Sequence, residues 1–162
     1  MRLRITTGLV PIALIAAAPA YAASAPGSAT ASIVKPLTLS KVQDLNFGTL
    51  MLGTFTGTKT VTLSRANVLT CPTGLTCSGA TSTARFNILG PDKLVALLTV
   101  SSPTLVNGAN TIPFTANAPL FVILFGTGAP GVNFDIGGSV TISPTTAEGV
   151  YSAVMNVTAD YF

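Results

Sequence analysis

Histidine is missing from all 162 residues, which removes the commonest general base, proton shuttle and metal ligand. No Ser-His-Asp or Cys-His arrangement can be assembled without it. The acidic groups are Asp44, Asp92, Asp135, Glu148 and Asp160. A glycosidase needs two carboxylates at a fixed separation, but four of these five lie beside turns or at strand ends, where solvation accounts for them. Cys71 and Cys77 lie close together, and two thiolates without histidine make a poor zinc site. In an exported chain they favour a disulfide that staples the loop TCPTGLTC. We expect no enzyme and no cofactor.

Weaker signals dissolve in the same way. Gly126-Thr127-Gly128-Ala129-Pro130-Gly131 matches G-x-G-x-x-G after an apolar strand, but Pro130 removes an amide and VNFDIGG reads as a strand. The helix that would hold a pyrophosphate is missing, so a hairpin loop is expected. Asn156-Val157-Thr158 is a formal glycosylation sequon inside a strand, and it reads as polar residues on the strand's outer face. Asn133 and Asp135 lack the further oxygen ligands of a calcium loop. The aromatic residues alternate as core residues do, with no tryptophan and no interleaved arginine to make a sugar or base platform.

The elements that position these residues follow from composition and period. Residues 1–22 read as a cleaved signal peptide: Arg2 and Arg4, an apolar run over 9–18 and Ala20-Tyr21-Ala22 before Ala23. The run is interrupted by Pro11 and is shorter than the roughly 20 residues of a membrane span. Without residues 1–22, six basic side chains face five acidic ones, a net charge of +1. No basic cluster points to nucleic acid or an anionic membrane surface. Residues 23–30 read as a flexible leader and 31–162 as one domain.

Short period-two runs separated by Gly, Pro, Asn and Asp recur along the domain, and no capped 3.6-residue period competes with them. Strands are expected over 31–39, where Pro36 marks an edge or a change of sheet, and over 44–50, 59–69, 84–89, 94–100 and 112–115. Further strands are expected over 132–136, 139–142 and 150–161. Leu120-Phe121-Val122-Ile123-Leu124-Phe125 is apolar throughout and is expected to be a strand buried on both faces. In 149–162, Tyr151, Ala153, Met155, Val157, Ala159 and Tyr161 share one face and Ser152, Asn156, Thr158 and Asp160 the other. Such a strand must pair along both edges or leave an apolar row open to another chain. The fold class expected is all-β.

Three separated motifs carry a resemblance. Ile33-Val34-Lys35-Pro36-Leu37-Thr38-Leu39 followed by Asp44-Leu45-Asn46-Phe47-Gly48-Thr49 resembles the opening of a family of small exported bacterial domains of unknown function, family 4402, in which V-x-P-L-x-L precedes D-L-x-F-G. The stretches 131–138 and 149–161 resemble its second half. That family is similar in turn to pilins of chaperone-usher fimbriae of the alternative, common-pilus (Mat) kind and to spore-coat-U-like secreted subunits, through the F-G-T box, the G-x-Y opening and the penultimate tyrosine of the last strand.

The resemblance implies an immunoglobulin-like β-sandwich whose groove is filled by an extended segment from the next subunit. It implies that Tyr151, Met155, Val157 and Tyr161 line the strand held by a periplasmic chaperone, and that Ala29, Ala31, Ile33, Leu37 and Leu39 form a donor segment. The partners implied are copies of this chain or related subunits, a chaperone and an outer-membrane usher, reached by export to the periplasm and then the cell surface. Ala29 and Ala31 are small for a donor, and Pro36 costs a ladder bond. A self-complete, monomeric secreted adhesin or binding module, with 31–39 as its own first strand, is therefore the alternative expectation.

Overall fold

The computed structural model describes residues 22–33, 35–125 and 130–162. The signal-peptide reading and most of the G-x-G-x-x-G loop lie outside the described residues. The chain divides into two units, Met1–Ser32 and Ile33–Phe162. In the first, residues 22–32 are exposed and carry no regular secondary structure.

The second unit is all-β. Its strands are β1 (Thr38–Gln43), β2 (Thr49–Leu52), β3 (Lys59–Leu63), β4 (Leu69–Thr70) and β5 (Leu75–Ser78), then β6 (Ala84–Leu89), β7 (Val95–Val100), β8 (Leu105–Asn107) and β9 (Asn110–Ile112). β10 (Phe114–Asn117), β11 (Phe121–Ile123), β12 (Val132–Ile142) and β13 (Val157–Tyr161) complete the series. One sheet runs β1-β6-β12-β3-β4, with β10 also paired to β12, and the second runs β11-β7-β13. Two small sheets, β2-β5 and β8-β9, extend the body.

Alternation puts one side of each strand inside. Ala84, Phe86 and Ile88 of β6 and Phe134 and Ile136 of β12 meet Ala96, Leu98, Val122 and Leu124 of the second sheet in one buried cluster. Phe86 and Phe134 pair directly across the strands, with stacked rings 5.9 Å apart. A second cluster, Val61, Ile112, Phe114, Val140 and Ile142, fills the other half. This is an immunoglobulin-like sandwich: β1, β6 and β12 stand in the A-B-E places, with β3 and β10 both paired to β12, and β7 and β13 stand in the C and F places.

Several sequence expectations are corrected. The runs 132–136 and 139–142 are one strand, because Gly137 and Gly138 continue β12 instead of turning it. A Cβ on Gly138 would lie 2.4 Å from the Phe114 ring, and one on Gly137 would lie 2.2 Å from the Leu63 carbonyl oxygen. These glycines let the neighbours pack closely at the point where β12 passes from β6 to β3 and β10. The first strand begins at Thr38, after Pro36. Leu120–Phe125 is buried on one face alone: Val122 and Leu124 point inward, whereas Leu120, Phe121, Ile123 and Phe125 are exposed.

Candidate functional site

The last segment of the chain is fixed at its start by a clamp. Gly149 has φ +142°, and a Cβ there would collide with the Asn107 side chain, whose Nδ2 donates to the Glu148 carbonyl at 3.1 Å. Tyr151 donates its hydroxyl to the Ala147 carbonyl at 2.9 Å. The chain then runs extended beside β8 and β7. Ser152 exchanges backbone hydrogen bonds with Val106, Ser101 N donates to Asn156 O, and Phe162 N donates to Val95 O. Even-numbered residues therefore spend their backbone groups on this side. The backbone groups of Tyr151, Ala153, Met155, Val157 and Ala159 point to the opposite edge, with which no described strand pairs.

A second wall faces it. Asn46 exchanges backbone bonds with Ser82, and Gly53 N donates to Gly74 O, which fixes residues 45–53 on one side; no described strand pairs with the other. The F-G-T box makes the join between β1 and β2. Gly48 has φ +75°, its amide donates to Asn46 Oδ1 at 2.9 Å, and a Cβ there would lie 2.5 Å from Ser78 O. Glycine takes this left-handed step without strain. Phe47 meets Phe114 edge-to-face with ring centres 6.3 Å apart.

Between residues 41–52 and 144–155 lies a groove of about 1110 Å³, whose floor includes Phe86, Ile112, Phe114, Val140 and Ile142. Its charges sit at the rim, where Lys41 and Asp44 pair at 2.7 Å while largely exposed. No buried side-chain polar atom among the described residues lacks a partner, so the apolar floor makes no polar demand on what covers it. In the immunoglobulin layout the G strand pairs with F. No described strand occupies that place beside β13.

Of the residues singled out from sequence, Tyr151 and Met155 line the groove wall, while Val157 and Tyr161 lie beyond it in β13; the strand expected over 150–161 is limited to Val157–Tyr161, with Ser152 in an isolated bridge to Val106. The Tyr161 hydroxyl donates to the Lys35 carbonyl, so the C-terminal end of β13 lies beside the chain entering β1. Leu37 and Leu39 pack on the chain's own first cluster, with Leu39 in β1. Ala29, Ala31 and Ile33 are exposed. Cys71 and Cys77 form a disulfide with Cα atoms 6.0 Å apart, and Cys77 pairs with Leu50 across β2 and β5, bracing one wall.

Asp135 lies outside the groove, opposite Arg85 on the neighbouring strand. It accepts from Arg85 Nε at 2.9 Å and Nη2 at 3.2 Å and from the Thr83 hydroxyl at 2.9 Å. The Arg85 hydrogen bonds hold its carboxyl below the usual carboxylate range, which accounts for this acid without a metal. Sequence reasoning found one wall of the groove through its period-two face. It missed the other, because Leu45, Phe47 and Leu50 read as core residues of a short strand.

A family model described as a domain of unknown function, DUF4402, matches residues 37–161. The chain belongs to that family. Comparison with curated proteins finds no match, and comparison with solved structures finds none. The DUF4402 match spans both groove walls and the floor, and residues 22–36 lie outside it. No helix among the described residues is long and apolar enough to cross a membrane.

Proposed function

We propose that this protein is an exported structural subunit of a surface fibre that assembles by strand addition between subunits and catalyses no reaction. The observation that carries the reading is a groove with an apolar floor between two edges with which no described strand pairs. A strand laid there would gain backbone hydrogen bonds from the odd-numbered residues of 151–159 and cover the half-buried Phe47, Leu50, Tyr151 and Met155 with its alternate side chains. Ala29, Ala31 and Ile33 of a neighbouring copy are the donor in this reading, because Leu37 and Leu39 are engaged in their own domain. Before assembly a periplasmic chaperone would hold the edge formed by Tyr151, Met155, Val157 and Tyr161, with an usher at the outer membrane.

The test is gel electrophoresis in SDS of the outer-surface fraction, unboiled against boiled, probed with antibody to the mature chain. A ladder that collapses to one band on boiling is the expected result. A single monomer band in both lanes would contradict strand addition and favour a self-complete binding module.

A further inference from the structure

β11 is an edge of a different kind from the groove walls. Leu98 N donates to Leu120 O and Leu124 N donates to Leu94 O, each at 2.9 Å. The backbone groups of Phe121 and Ile123 therefore point away from β7, to an edge with which no described strand pairs. Side chains alternate in step. Phe121 is 54% and Ile123 43% exposed, beside Leu97 at 44% on the neighbouring strand. One short strand thus offers both free amides and an apolar face.

Natural sheet edges are usually blunted by charge, proline or a bulge, because an open apolar edge recruits other strands. β1 carries all three devices: Pro36 just before it, Lys41 within it, and a register shift between Lys41 and Gln43. β11 has one of them, Pro119 just before it, and the run 120–125 itself carries no charge and no register shift.

We propose that β11 pairs edge to edge with β11 of a second copy of this chain, antiparallel, about a two-fold axis at Val122. The strand is self-complementary in that register. Phe121 of one copy stands opposite Ile123 of the other, twice, and these are the residues whose amides are free, so each pair exchanges both backbone bonds. The run bears no charge, so the two-fold axis brings no like charges together. Across the shallow cleft beside β11 stand Arg65 and Asp135, and Asp135 is already engaged by Arg85, which leaves little for a charged partner to read. So short an edge buries much less than the roughly 1,000 Å² of a stable dimer. The pairing is accordingly weak between single domains and strengthens where copies are held in a row. It does not depend on how the groove is filled.

The test is register-specific crosslinking of the full chain, whose native cysteines are both in the disulfide. Phe121→Cys and Ile123→Cys are oxidised mildly, each alone and mixed. Val106→Cys, exposed elsewhere, supplies the collisional background. The expected result is a covalent dimer linked 121 to 123, several-fold more abundant in the mixture than in either single variant or the background. A mixture no better than background, or single variants that crosslink as well as the mixture, would overturn the pairing. The unboiled ladder is read on the same samples, so loss of the 121–123 link with the ladder intact removes this inference and leaves strand addition standing. A link without a ladder does the reverse.

Discussion

The two apolar clusters of the sandwich are closed in different ways. The cluster around Ile88, Leu124 and Ile136 is covered by two sheets, and those three side chains are at most 1% exposed. The cluster around Phe114, Val140 and Ile142 rests on the same strand β12 but forms a groove floor between two walls with unpaired edges. Both clusters are buried, the second at no more than 7% exposure. The difference lies in what borders them: two paired sheets in the first case, and in the second a groove between walls with which no described strand pairs.

This contrast can be broken most sharply at Met155, half-buried in the groove wall. Met155→Asp is expected to abolish the heat-sensitive ladder, because the charge is hydrated in the open groove but buried without a partner once a strand covers it. Equilibrium unfolding of the monomeric variant should show much the smaller change. Ile136→Ala works on the first cluster and is expected to cost about 2–5 kcal/mol of monomer stability in denaturant titration. Removing the disulfide by Cys71→Ser with Cys77→Ser is expected to cost about 2 kcal/mol, from the loop-closure entropy of so short a loop. It should also weaken assembly, since Cys77 braces the β2 wall.

The smallest effect belongs to Asp135→Asn. Arg85 and Thr83 stabilise the ionised carboxylate, so the folded pKa lies below the unfolded one. The contribution is fully present above the ordinary carboxylate value of about 4 and is lost as pH falls through the lowered value. Thermal melts of wild type and Asp135→Asn should therefore differ slightly near neutrality and converge in acid. The pair is too exposed for a large difference.

Local chemistry made part of the molecule legible. The missing histidine, the Cys71–Cys77 staple and the alternation of 151–161 each follow from residue type and spacing. Period alone cannot say which partner covers a face. Leu120–Phe125 is apolar at every position, so nothing in the string distinguishes a strand buried on both sides from one with Phe121 and Ile123 open to solvent. Gly137-Gly138 reads as a turn until Phe114 and Leu63 are seen to need its missing Cβ atoms. The groove itself is a relation between residues 41–52 and 144–155, about a hundred positions apart, and pairing across that distance leaves no local mark.

Amide hydrogen exchange of the monomer against the assembled form tests strand acceptance most directly. Even-numbered amides bonded to β7 and β8, such as Ser152 and Phe162, should be protected in both forms. The amides of Ala153, Met155 and Val157 should exchange freely in the monomer and become protected on assembly. Protection of those three in the monomer, or free exchange in the assembled form, would contradict the account.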